Sequence, residues 1–144
     1  MSPLFRKKLA QRGVVVLGAP MESESLREGV NLMPAALRDA GVRRNGPSQV
    51  GRIAAEALAG DPGQYWLHVD LDVLSPAVMP AVDDLLPGGL DWDELTGLLR
   101  PLVQHPALLG MDVTIYNPAK DPGRTLEPRI VRLLADVLGT DPTA

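Results

Sequence analysis

The sequence predicts an α/β fold, three layers deep, built on a mostly parallel sheet of about four strands. Three observations lead there. Apolar β-branched runs alternate with segments of helical periodicity, the connections between them are short, and the helical segments carry their own start and stop residues. The first run, GVVVLGAP at 13–20, is continuous rather than alternating, as expected of a strand buried on both faces. VNLMP at 30–34 is a second, weaker strand candidate, YWLHVDLDVL at 65–74 a third and ALLGMDVTIYN at 107–117 a fourth.

Between these lie the helices. Residues 3–11 form a short one before Gly13, MESESLREG is a short helix or loop, and AALRDAG adds a turn that stops at Gly41. In QVGRIAAEALAG, Val50, Ile53, Ala54 and Leu58 share a face, with Ser48 as N-cap and Gly60 as stop. Asp91 and Glu94 have capping-box spacing and open a helix with Leu95, Leu98, Leu99, Leu102 and Val103 on one stripe. TLEPRIVRLLADVLG closes the chain, with Thr125 as cap and Gly139 as stop. No repeat or linker divides residues 1–144, so a single domain is expected.

Composition narrows the function classes. The chain has 144 residues, a hydrophobic fraction of 45% and a net charge of −4, which suits a globular domain and disfavours a nucleic-acid surface. There is no cysteine, so disulfides, thiolate metal sites and a cysteine nucleophile are excluded, and a cytoplasmic location is expected. The basic start, with Arg6, Lys7, Lys8 and Arg12, is not followed by an apolar run long enough for a signal peptide or a membrane span.

Chemistry concentrates at Asp70 and Asp72. In a strand, positions i and i+2 share a face, and parallel sheets place ligand sites beyond the carboxyl ends of their strands. Two carboxylates so placed repel unless a cation lies between them, and hard cations favour oxygen ligands. From spacing alone, a metal site and a capped strand end both stand. His68 is assigned to the opposite face as a satisfied, partly buried histidine, and His105 to a surface turn. Asp83 and Asp84 are read as solvating a proline-rich loop, Gly88 and Gly89 as a backbone requirement before the helix, and Trp66 and Trp92 as packing.

The residues downstream carry a resemblance. DLDVLSPAVMPAVDDLLPGGL is similar to the arginase–agmatinase (ureohydrolase) family pattern D-x-D-x-x-D-P, then P, then P-x-P-G-G-L, at Asp70, Asp72, Pro76, Pro80, Pro87, Gly88, Gly89 and Leu90. GMDVTIYNPAKDP resembles the family's later G-x-D-x-x-E-x-N-P-x-x-D at Gly110, Asp112, Asn117, Pro118 and Asp121. Upstream, GVVVLGAPMESES falls on the strand before a mid-family R-x-x-x-x-x-E segment, which makes the chain the C-terminal half of a ureohydrolase with a partial arginase-like fold. A competing alignment sets residues 18–41 on the family's opening segment and requires a large internal deletion.

The resemblance implies manganese-dependent hydrolysis of guanidino or amidino C–N bonds, by two ions that activate water. It places Asp70 as the ligand shared by both ions and Asp72 as a ligand to one. The remaining ligands of the six come from G-G-D-H and D-A-H-x-D segments, and this sequence contains neither. Two divalent ions answered by two carboxylates leave the centre under-neutralised. Asp112 is expected near the site without a ligand role. Ser75 stands at the family's third aspartate, Leu85 at a usual proline, and Ile115 where many members carry the glutamate that grips the guanidinium group.

The implied partners are a small guanidino or amidino substrate and either further copies of the chain or a complementary N-terminal half, with no nucleic acid and no membrane. A catalytically inactive remnant serving as a binding or assembly module is the alternative. A third reading takes VDLDVL as a phosphatase D-x-D-x-[TV] motif with Leu74 at the Thr/Val position, and ranks last.

Overall fold

A computed structural model describes residues 43–59, 64–85 and 87–140. The expected strands at 13–20 and 30–34, the helix at 3–11, the segments MESESLREG and AALRDAG, and the stop at Gly60 lie outside these. After a single helical turn at Arg43–Asn45, the described elements are α1 (Pro47–Leu58), β1 (Tyr65–Asp70), α2 (Trp92–Val103), β2 (Leu108–Thr114) and α3 (Glu127–Leu138). β1 and β2 pair in parallel, as the α/β reading requires, with Leu67 opposite Met111, His68 opposite Asp112 and Asp70 opposite Thr114.

Alternation along β1 builds one wall of the core. Tyr65, Leu67 and Val69 are buried and form one cluster with Ala55 of α1 and with Leu95, Leu98, Leu99 and Leu102 of α2. The capping box opens α2 as expected: Glu94 N–H donates to Asp91 Oδ1 at 2.7 Å, and Asp91 N–H to Glu94 Oε2 at 3.0 Å. The buried Tyr65 hydroxyl donates to the Leu102 carbonyl at 2.5 Å, tying strand to helix.

Two expected caps are not used. α1 begins at Pro47 with Gly46 before it and no side-chain cap, so Ser48 lies inside the helix; Pro at the first position needs no N–H partner. The buried face of α1 is centred on Gly51 and Ala55, and Ile53 is 56% exposed rather than packed. At α3 the boundary residue is Leu126, because the Asp121 carboxylate takes the N–H groups of Leu126 (2.8 Å) and Thr125 (3.1 Å) and the Thr125 hydroxyl (3.2 Å). Gly139 does end α3, in the left-handed conformation (φ 72°).

α1 and α2 touch through backbone at Gly51. A Cβ there would lie 2.2 Å from the Leu98 carbonyl oxygen, so any side chain must force the helices apart. Gly51→Ala should therefore lower stability by about 1–3 kcal/mol in urea unfolding, as overpacking does. Leu102→Ala, at a fully buried position, should cost about 2–5 kcal/mol in the same measurement.

Candidate metal and substrate site

β1 ends at Asp70, and the chain turns at once into a single 3₁₀ turn over Leu71–Val73. Asp70 causes the turn: its Oδ1 accepts the N–H of Asp72 at 3.1 Å, as an N-cap does. The two carboxylates therefore do not project from one strand face, as i, i+2 spacing predicts. Asp70 leaves the strand end and Asp72 leaves the turn. The turn also drives Leu71 and Leu74 into the core, both essentially inaccessible.

The loop after the turn is sealed at its base. Ser75 N–H donates to Leu90 O (2.8 Å) and Leu90 N–H to Val73 O (2.9 Å). Gly89, at φ 91°, makes this seal possible, because a Cβ would stand 2.4 Å from the Ser75 nitrogen. The backbone role expected of the glycine pair is what the structure uses.

The loop is also fastened to the end of β2. Asn117 donates from its backbone to Ala81 O (2.9 Å) and from Nδ2 to Asp83 Oδ1 (2.9 Å). Lys120 Nζ meets Val82 O (2.8 Å) and Asp83 Oδ1 (3.1 Å). Asp83 is thus a structural acceptor rather than a solvating charge, and the Asn117 and Lys120 contacts hold its carboxyl below the usual range.

Burial and the neighbouring charges act on Asp72. Desolvation first, then the charge and hydrogen bond of Asp70 and the charge of Asp84, push the Asp72 carboxyl up to about 7. Asp72 Oδ1 and Thr114 Oγ1 are buried polar atoms without a hydrogen-bond partner. Thr114 stands opposite Asp70 in register, and parallel pairing of HVD with DVT is the sequence signal that would have found it.

These are hard oxygen donors, so the chemistry suits one hard cation with water completing its shell. It does not suit two ions. Among the described residues no group of three or more His, Asp or Glu side chains is arranged to hold a metal.

His68 lies where strand alternation puts it, on the same face as Trp66 and Asp70. The expectation of an opposite, partly buried face fails because 68 and 70 share parity. Its side chain is 59% exposed, and Nδ1 lies 2.5 Å from Asp112 Oδ2. The Trp66 indole N–H donates to Asp112 Oδ1 at 2.5 Å. These contacts, Trp66 first, hold the Asp112 carboxyl below its usual range. Trp66 is 62% exposed and lies across Gly110, so it is a pinned surface ring rather than core packing. His105 sits half-buried in its turn, where Nδ1 accepts the Ala107 N–H at 3.1 Å. Ile115, the residue after β2, has φ 67°, a strained conformation for a β-branched residue, and its apolar side chain offers no hydrogen bond to a cation.

A parallel α/β unit with paired carboxylates beyond a strand end places the chain in the α/β class. The comparisons with known proteins give the family. A profile of the Arginase family matches residues 40–139. N(1)-aminopropylagmatine ureohydrolase of Thermus thermophilus is 30% identical over 122 residues, which cover 81% of this chain and 39% of the relative. Arginase of Brucella melitensis biotype 1 is 24% identical over 138 residues, covering 95% of this chain and 45% of the relative. The native structure of arginase from Bacillus caldovelox superposes with a TM-score of 0.63 at 24% identity, covering 81% of this chain and 41% of that one, and shows the shared fold. The chain belongs to the Arginase family, and it spans less than half the length of these relatives.

Asp121 anchors the end of this region. Burial pushes its carboxyl upward, but the hydrogen bonds from Leu126, Thr125 and Tyr116 outweigh that and hold it below the usual range. A carboxyl depressed in the folded state contributes stability above its unfolded pKa, and that contribution is lost as pH falls through the folded value. Asp121→Asn should lower the urea midpoint at pH 7, and the gap to the parent chain should narrow as pH falls below about 4.

Proposed function

We propose that the chain is the C-terminal, single-domain part of a ureohydrolase, a manganese-dependent hydrolase of guanidino or amidino C–N bonds, with an incomplete dinuclear site. The observation that carries this reading is the Asp70–Asp72 turn in an Arginase-family chain: two carboxylates meet beyond a parallel strand, and one buried oxygen lacks a partner. Asp70 and Asp72 would hold the cation, which when bound lowers the pKa of a water and polarises the substrate. The chain's own residues then do the positioning. Asp70 sets the turn, and the Asn117–Asp83–Lys120 contacts hold the loop over the strand ends.

The missing ligands are proposed to come from a complementary N-terminal half or from assembly of several copies, in a cytoplasmic setting. Support comes from the greater length of the relatives and from the absence of G-G-D-H and D-A-H-x-D segments in this sequence. No helix among the described residues is long and apolar enough to cross a membrane. The second reading, an inactive remnant used as a binding module, draws on Ile115: the guanidinium-gripping carboxylate expected there is an aliphatic side chain.

Calorimetric titration with manganese separates these. The expected result is one weakly bound ion per chain, with binding abolished in Asp72→Asn. Tight binding of two ions by the 144-residue chain overturns the incomplete centre. Hydrolysis of agmatine or arginine that appears only on mixing with a polypeptide carrying the absent segments supports the complementary half. Mixing without activity, despite complex formation, supports the remnant.

A further inference from the structure

A second concave site lies away from the aspartate pair, between α2 and α3. The two helices run in the same direction and are tied at their C-terminal ends, where Arg100 Nε donates to Asp136 O and Gln104 Nε2 to Val137 O, both at 3.2 Å. Toward their N-terminal ends a crevice of about 250 Å³ opens between them. Its floor is the buried Leu133 and one wall is Trp92, whose indole N–H is held on Val78 O at 3.3 Å.

Charges of both signs ring this apolar floor. On the α3 side stand Arg129 and Arg132, one turn apart, with the Asp136 carboxylate paired to Arg132. Arg132 Nε is engaged by Asp136 Oδ2 at 3.0 Å, which orients the guanidinium while its terminal nitrogens have no partner among the described residues. Arg129 has none either. On the α2 side stands Asp93, also without a hydrogen bond or ion pair among the described residues. A plain anion in this crevice would meet the repulsion of Asp93, and a plain cation that of the arginines. A molecule carrying both charges on a small apolar body meets neither. The volume lies just below the range of ordinary ligand pockets and suits a molecule of amino-acid size.

We propose that this crevice binds a free apolar amino acid, its carboxylate on Arg129 and Arg132, its ammonium on Asp93 and its side chain against Leu133 and Trp92. The site shares no residue with the Asp70–Asp72 turn, so it stands or falls separately from the proposed hydrolase function.

The test is a titration of the full 144-residue chain with L-leucine, followed by the indole N–H signals in ¹H–¹⁵N spectra. Trp92 reports on the crevice, and Trp66, on the exposed sheet face, is the internal control. The expected result is a saturable shift of the Trp92 signal alone. Binding should be about tenfold weaker for 4-methylpentanoate, which lacks the ammonium, and for leucinamide, which lacks the carboxylate. Arg129→Gln and Asp93→Asn, both surface changes, should each weaken leucine binding by a similar factor, and Asp72→Asn should leave it intact. The absence of a saturable Trp92 shift overturns the proposal. So does an equal response to either one-charge analogue, or a response that survives Arg129→Gln or Asp93→Asn undiminished.

Discussion

The hydrogen bond from Asp72 N–H to Asp70 Oδ1 stops β1 and folds the next three residues into a single turn, and both the core and the site depend on it. Continued as a strand, residues 71–74 would carry Leu71 to the face of Leu67 and Val69 but Leu74 to the opposite face. The turn instead packs both leucines under the loop, with Met79, Ala81 and Val82. It also draws the two carboxylates together. Asp70 is thereby a structural cap and half of a charged pair at once, and burial of Asp72 beside it creates an electrostatic demand that a cation would meet.

Much of the motif that carries the family resemblance serves the backbone. Gly89 permits the closure between Ser75 and Leu90, Asn117 fastens the loop to the end of β2, and Asp121 gathers the first N–H groups of α3. None of these roles needs a ligand. This accounts for how a chain that spans less than half the length of its relatives can hold their local architecture: the glycine, asparagine and buried aspartate are satisfied within the chain itself. The Asp83–Lys120 pair belongs to the same scaffold, since it fixes the loop next to Asp84 and so brings that charge within reach of Asp72.

The face of β1 opposite the core is organised around one acceptor. Asp112 holds both Trp66 and His68 across the strand pair, and Gly110 leaves room for the indole to lie over β2. Trp66 and Leu109 are both more than half exposed. The register explains part of this, since the irregularity between Tyr65 and Trp66 sets Leu109 out of the pairing.

The sequence by itself determined the elements that depend on local chemistry. The capping box at Asp91, the stop at Gly139, the apolar stripe of α2, the parallel α/β class and the glycine pair before the helix were all legible, because each follows from residues a few positions apart. Where distant groups compete for the same backbone, only the tertiary structure decided. Thr125 lost its cap to Asp121, whose carboxylate is stronger and already positioned by Tyr116. Ile53 lost its place on the core face to Gly51, because the closest approach of two helices goes to the residue without a side chain. The aspartate pair shows both limits. Its residue types announced a charged strand end, and the Asp70 cap that turns the chain is local too, whereas the burial of the Asp72 oxygen came with the folded structure and the place of Thr114 beside Asp70 from a partner strand more than forty residues away in the chain.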